Sequence, residues 1–379
     1  MKLVFVDIDR ERFLPFAFTR PLAKLRVGIL TLEEKWFKRL GAENCSYDTE
    51  DYLSTKFSNE ANADSLFINP LVFPTHDLVE KVQGLNNGES LWFEDVWIAR
   101  KGKESSKVSF SEVNSLNTNW DIFHKNGDQI RADFELITKG RKSQAVPSHV
   151  TVLGNHEIFI EEGAVVNAAY LNVTDGPIYI GADAEVMEGS VIRSPFALLD
   201  HSVVKMSAKM YGDTTIGPHC KVGGEIGNSV FMGYSNKGHD GYLGNSVIGE
   251  WCNLGADTNS SNLKNNYSSV RVWSYQTGNM EDTGLQFCGL IMGDHSKTGI
   301  NTMLNTGTTV GVCANIFGGD FPAKFIPSFS WGGAEGFVDF KMEKAKEVAE
   351  RMMARRKVPF TTKDLSIFEA IEKKAKNWK

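Results

Sequence analysis

One imidazole, two lysines and a set of amides fall within a short glycine-rich stretch of this chain. It reads Asn236-Lys237-Gly238-His239-Asp240-Gly241-Tyr242-Leu243-Gly244-Asn245, then Asn253-Leu254-Gly255-Ala256-Asp257-Thr258, then Asn262 and Lys264. A histidine titrates near neutral pH and can take a proton from a reacting group. Amide side chains such as Asn253 or Asn262 can donate to a carbonyl oxygen as it gains charge. A lysine ammonium can hold a phosphate as a point charge. The plainer reading is a loop histidine in ordinary hydrogen bonds and two solvated loop lysines.

The elements that position this stretch show in a period of six. From Ile180 to Val222 an aliphatic residue recurs at every sixth position: Ile180, Val186, Ile192, Leu198, Val204, Met210, Ile216 and Val222. A second series at Ala184, Ser190, Phe196, Ser202, Ala208, Thr214 and Cys220 keeps the same period and, apart from Phe196, is small. Six fits neither a helix face nor simple strand alternation. It fits a coiled parallel solenoid, in which each short strand sends one aliphatic side chain inward and turns a corner that admits a small residue. The solenoid is entered loosely from Val150 and interrupted by an excursion at 227–241. It resumes at Ile248 and Leu254, is interrupted again from Asn259 to about Phe287, and continues through Met292, Thr298, Leu304, Val310 and Ile316. A long loop inside a solenoid usually serves function.

Residues 1–145 carry no hexads and read as a small α/β domain. A strand is expected at Leu3–Val6, helices over 30–40 and 76–82, and a strand over 90–99. Asp7 and Asp9 read as surface carboxylates at a strand end. The polar segment 139–144 reads as a linker, 149–330 as the solenoid, and 331–379 as a helical segment. Within the last, one helix is expected over 338–356 and a second over 365–378 that Thr361 or Thr362 can cap and that closes the solenoid end.

With a formal charge of -6 over 379 residues and no long basic run, the chain offers nothing to gather nucleic acid. No stretch approaches the ~20 apolar residues of a membrane span. A cytoplasmic protein is expected, with no membrane partner. The five cysteines, Cys45, Cys220, Cys252, Cys288 and Cys313, are widely spaced and odd in number, which predicts free thiols and no metal site.

The stretch around His239 resembles the acetyltransferase domain of the GlmU-like bifunctional family that makes UDP-N-acetylglucosamine. The likeness extends through Gly293-Asp294 and Lys297-Thr298-Gly299-Ile300-Asn301 in the manner of archaeal and Bacteroidetes versions. It implies a left-handed parallel β-helix of hexapeptide repeats, a homotrimer, and acetyl-CoA as co-substrate. It further implies an N-acetyltransferase acting on an amino-sugar phosphate such as glucosamine 1-phosphate, or on a sugar nucleotide. Carried over by position, His239 is the general base. Tyr242, Asn253, Asn262, Lys264 and Lys237 bind substrate, and Ala256, Ile300 and Gly318 line the acetyl-CoA site. The family's phosphate-binding lysine is here Gly227, and its Asn-Tyr pair is Asn262-Leu263.

Leu14-Pro15-Phe16-Ala17-Phe18-Thr19-Arg20-Pro21 is similar to the stretch after the phosphate loop of sugar nucleotidyltransferases, with Arg12 at the loop's arginine. The loop glycines are replaced, so the resemblance implies a degenerate nucleotidyltransferase-like domain, which needs Mg²⁺ only if active. Two rival readings stand beside the acetyltransferase. One is a sugar-1-phosphate nucleotidyltransferase with a purely oligomerising solenoid, and the other a non-catalytic trimer that binds a sugar nucleotide.

Overall fold

The computed structural model describes residues 2–42 and 44–378. The hexads form a parallel β-solenoid with three faces. The first face is an eight-stranded ladder that starts at Thr151–Gly154, and the second a nine-stranded ladder that starts at Ile158–Ile160. The third starts at Val165–Val166 and runs through Glu185–Val186, Val203–Val204, Lys221–Val222 and Asn236–Lys237, continuing at Lys297–Thr298 and beyond.

Register explains the period. Ile192, Met210, Ile226 and Leu243 stack on the first face, Leu198, Ile216, Phe231 and Ile248 on the second, and Val186, Val204 and Val222 on the third. All are at most 1% exposed. Each such side chain stabilises the fold by about 1.5–3 kcal/mol on burial. The small series is buried at the corners, where Ser202 donates from its hydroxyl to the Gly217 carbonyl at 2.7 Å.

The stretch at 227–241, expected as an excursion, remains in the ladder as Glu225–Gly227, Val230–Gly233 and Asn236–Lys237. A two-residue corner, Gly223-Gly224, shortens one coil, and the hexad count shifts without the chain leaving the solenoid. The later excursion does leave. It carries an antiparallel hairpin, Arg271–Ser274 with Asn279–Asp282.

The amino-terminal domain has a six-stranded mixed sheet in which Leu3–Val6 lies between Cys45–Asp48 and Leu66–Ile68. Helices occupy Leu32–Leu40, capped by a reciprocal Thr31–Glu34 box, and His76–Gln83. The strand expected over 90–99 is a hairpin, Glu89–Phe93 and Val96–Lys101, because Glu94 turns with φ of 49°. Asp9 is exposed, as expected, but the Asp7 side chain is buried. Its carboxylate accepts from the Leu22 N–H at 2.8 Å, Thr49 at 2.5 Å and Arg10 at 3.1 Å, tying the following loop to the strand.

This domain lies along the second face. The outward residues there, including Tyr179, Ala197, Thr215, Val230, Val247 and Ile291, are at most 7% exposed because Phe13–Leu25, Ile29, Leu30 and the helix Asn126–Thr138 cover them. Buried polar pairs brace the covering layer within the domain and fix its join to the solenoid. Lys35 Nζ meets Asp133 at 2.6 Å, and Asp133 also accepts the N–H groups of Ile29 and Leu30. Gly28 is held at φ of 80°, where a Cβ would lie 2.5 Å from that carboxylate. Arg20 is sealed between Glu250 at 2.6 Å and Asp294 of the solenoid, and Thr19 donates to Asp294 at 2.6 Å.

The carboxy-terminal helices are Met342–Ala354 and Thr362–Ala375, the second capped by Thr361 with Asp364. They lie along a flank instead of closing the end. Phe368 packs on His295 and Phe329, and Asp364 and Lys374 pair with Lys56 and Glu50 of the first domain. The last coil is continued instead by the hairpin Ser330–Gly333 with Gly336–Asp339, whose Phe337 packs on the solenoid core.

Candidate active site

The third and first faces meet at a corner that usually takes four residues, such as Gly255-Ala256-Asp257-Thr258 and Gly299-Ile300-Asn301-Thr302. His239 occupies the second place of its corner, as Ala256 and Ile300 do of theirs on following coils, and it is exposed. Gly318 falls in the corresponding turn after Asn315–Ile316, with φ of 99°. Ile300 is 72% exposed and Phe317 43%, so an apolar strip runs from the histidine toward the end of the solenoid. The stacking is direct, since Asn301 N donates to the Ala256 carbonyl at 2.8 Å and Asp257 N to the Asp240 carbonyl at 3.1 Å. Asp257 holds φ of 54°, a left-handed position that aspartate tolerates better than most residues.

The loop carrying His239 is held from below and from within. Below it, the short Gly223-Gly224 corner lets the backbone drop close. A Cβ on Gly223 would lie 2.7 Å from the Gly238 carbonyl oxygen, and one on Gly224, at φ of 74°, would lie 2.9 Å from that of His239. From within, Lys237 takes an interior position, stacked on Val222 in the row that otherwise holds aliphatic side chains. Its Nζ donates to the carbonyls of His239 at 3.0 Å, Gly223 at 3.2 Å and Asp240 at 3.4 Å. Burial pulls its pKa down to about 8 against the raising influence of Asp240 and Asp257. The ammonium therefore serves the loop's own carbonyls, and the expected contact between Lys237 and a substrate phosphate is replaced by an internal anchor.

The remaining candidates divide. Asn253 lies next to the corner on the third face, and its Oδ1 accepts from Asn236 Nδ2 at 3.0 Å. Tyr242 opens the first face directly after the histidine loop. Asn262 reaches it from the next coil, donating to Tyr242 Oη at 2.9 Å and to Asn245 Oδ1 at 2.7 Å, while burial raises the phenol's pKa. Gly244 makes that contact possible, because a Cβ there would meet the phenol oxygen at 2.3 Å. Lys264 is turned back on its own loop, toward the Ser269 carbonyl and Ser268. At Gly227, Tyr211 leaves 3.1 Å for a Cβ, and Leu263 pairs with Phe287 at the neck of the excursion. Sequence reading missed the roles of Gly223, Gly224, Gly244 and the interior Lys237. The signal for the last was a count of six from Phe231 through Lys237 to Leu243.

A second candidate region lies in the amino-terminal domain. A crevice of about 410 Å³ is lined by Ile8, Asp9, Arg12, Asn69, Trp92 and Asp95 among others. It opens beyond the carboxyl ends of the parallel strands Leu3–Val6 and Leu66–Ile68, where the strand order reverses, which is where open α/β sheets bind ligands. A cleft of about 360 Å³ between this domain, the solenoid and the last helices is lined by charges already spoken for, with Arg20, Lys24 and Lys56 paired to Glu250, Glu33 and Asp364.

The chain is similar to several known proteins. Residues 3–142 match the family described as sugar nucleotidyl transferase. The bifunctional protein GlmU of Methanocaldococcus jannaschii is 26% identical over 317 residues, spanning 82% of this chain and 67% of that one. The bifunctional sugar-1-phosphate nucleotidylyltransferase/acetyltransferase of Sulfurisphaera tokodaii is 30% identical over 146 residues, spanning 38% of this chain and 36% of that one. The chain thus aligns with between about a third and two thirds of these relatives' length. Among solved structures, the polysialic acid-specific acetyltransferase NeuO aligns over 55% of this chain and all of its own, at 14% identity and a TM-score of 0.30.

Proposed function

We propose, from the premise that this is a GlmU-like chain, that it is an acetyl-CoA-dependent N-acetyltransferase acting on an amino-sugar phosphate. The observation that carries the reading is the corner itself. An exposed imidazole sits on a loop whose carbonyls are held by Lys237 Nζ, in line with Ala256, Ile300 and Gly318 on the following coils.

The chemistry asked of these residues is modest. The substrate nitrogen attacks the thioester carbonyl, forming a C–N bond as the C–S bond breaks. His239 takes the proton the amine loses and can pass it to the departing thiolate. Asn253 or a backbone N–H on the corner supports the oxyanion. Tyr242 and Asn262, already bonded to each other, orient the sugar hydroxyls. The apolar strip at Ile300 accepts the pantetheine arm, and Lys264 is free to exchange its loop contacts for a phosphate. In a homotrimer the corner of one protomer faces its neighbour, which completes the cleft.

His239→Ala should lower turnover by about 10²-fold or more. The assay is thiol release from acetyl-CoA with glucosamine 1-phosphate, and undiminished release would remove the histidine from the mechanism. A second activity has a specific observation behind it, the crevice at the switch point within residues 3–142. Asp9 and Asp95 are the carboxylates there that could hold Mg²⁺, and pyrophosphate release from UTP with a sugar 1-phosphate tests it.

A further inference from the structure

On the first face of the solenoid, register lines up outward positions at Arg193, Tyr211, Gly227 and Gly244, one on each successive coil. The two glycines lie in strands and have no left-handed backbone that would call for them. A strand glycine of this kind marks a close approach. At Gly244 the approach is internal, since Tyr242 and Asn262 lie over it. At Gly227 the three nearest atoms that a Cβ would meet all belong to Tyr211, at 3.1–3.6 Å. Gly227 is nevertheless only half-buried, and Tyr211 is 45% exposed.

These residues leave a step in the face. Tyr211 stands on the coil below it and the Tyr242–Asn262 pair covers the coil above, two strand spacings or about 9–10 Å away. Burial raises the Tyr242 phenol's pKa against its bond from Asn262, and Glu225 and Tyr211 lie near enough to raise it further. The cations around the step have carboxylates beside them, Lys209 at 3.8 Å from Glu225 and Arg193 at 3.7 Å from Asp175. A lone exposed tyrosine needs no explanation. This one borders bare backbone beside the phenol–amide pair that already belongs to the acceptor side of the site.

That combination suits a pyranose. Its ring C–H bonds carry slight positive charge and pack on the negative face of an aromatic ring, while the same face repels a phosphate. Its hydroxyls can use the hydrogen-bonding capacity that Tyr242 Oη and Asn262 retain. Resting on the acetyltransferase reading, we propose that Tyr211 is an acceptor-binding residue, on which the amino sugar's ring stacks over Gly227. The position that the resemblance gives to a phosphate-binding lysine thereby becomes the floor under the ring. Recognition on this face is by ring and hydroxyls instead of by charge.

Acetyl transfer to glucosamine 1-phosphate and saturation-transfer NMR with N-acetyl-D-glucosamine, both on the full chain, test it. Tyr211→Ala should raise the KM for glucosamine 1-phosphate about tenfold or more, with the KM for acetyl-CoA unchanged. Tyr211→Trp should stay within about threefold of the parent, because it keeps an aromatic face. N-acetyl-D-glucosamine should bind the parent saturably, and Tyr211→Ala and Tyr211→Leu about tenfold more weakly. Tyr211→Leu keeps apolar contact with the neighbouring coil and should melt as the parent does, so its lost binding is not lost folding. The binding readout needs no turnover and decides the matter even if no acetyl group is transferred. Unchanged KM and sugar binding in Tyr211→Ala overturn the inference, as does a parent that binds no sugar or a loss that Tyr211→Trp shares. Altered sedimentation of Tyr211→Ala with sugar binding intact also overturns it, by making Tyr211 a contact between copies.

Discussion

Replacing Lys237 with methionine separates an anchoring lysine from a substrate-binding one. The side chain is 1% exposed and stacked on Val222, and methionine fills the same space without a charge. In the folded protein the ammonium's pKa falls from 10.5 to about 8, chiefly through burial. At about 1.4 kcal/mol per pH unit, the charged form carries a penalty of about 3 kcal/mol at neutral pH relative to the unfolded chain. Between about pH 8 and 10.5 the unfolded chain still holds that proton while the native one has released it. The parent's stability relative to the variant should therefore rise across this window, by up to about 3 kcal/mol. Below pH 8 the variant is freed of the penalty but loses three carbonyl contacts, of which the one to Gly223 is buried and is worth about 1 kcal/mol or more.

The variant should accordingly be at least as stable as the parent at pH 7, within about 1 kcal/mol. Its advantage should disappear and reverse toward pH 10. Urea unfolding of both proteins from pH 7 to 10.5 measures this, since other titrations cancel in the difference. In the acetyltransferase assay, kcat should fall about tenfold or more with the KM for acetyl-CoA unchanged, because the His239 loop has lost its internal anchor. A stability difference flat across pH 8–10.5, or an unchanged kcat, refutes the reasoning.

Gly244→Ala places a methyl 2.3 Å from Tyr242 Oη and 2.6 Å from Asn262 Nδ2, the ends of side chains that can move aside. The fold should survive with an unchanged melting temperature, while the KM for the amino sugar rises about tenfold, the loss expected of a hydrogen bond worth about 1.4 kcal/mol. An unaltered KM would detach the Tyr242–Asn262 pair from substrate. Arg20→Met leaves Asp294 buried without its counter-ion and should cost about 3–5 kcal/mol in denaturant unfolding. A loss under about 1 kcal/mol would mean that the arginine does not hold the first domain to the solenoid. In that variant, amide exchange at the covered second face should also rise.

Some of the molecule was legible in one dimension. The solenoid core from Ile180 to Val222 follows from a period of six because each rung touches its neighbours one coil away, and the pattern repeats with every contact. Thr361 caps its helix because capping is a contact across three residues. The helices over Leu32–Leu40 and His76–Gln83 are likewise local. The family resemblance singled out His239, Ala256 and Ile300, and the structure sets them at matching places on successive corners, although 227–241 was expected to leave the solenoid.

Other features required the folded chain. Lys237 points inward because the two-residue corner at Gly223-Gly224 shifts the register, so that inward positions fall at Val222, Ile226, Phe231 and Lys237 instead of at regular sixths. A lysine is tolerated there only because three carbonyls converge on it. Arg20 is sealed by Asp294 from 274 residues away, and the last helices lie on the flank because Phe368 finds His295 and Phe329 there. The hairpin at Arg271–Asp282 and the loop at Asn117–Trp120 enclose a cavity that neither segment encodes alone. Periodicity reports neighbours one coil apart. Charge burial, register and enclosed space depend on partners that only the packed structure brings together.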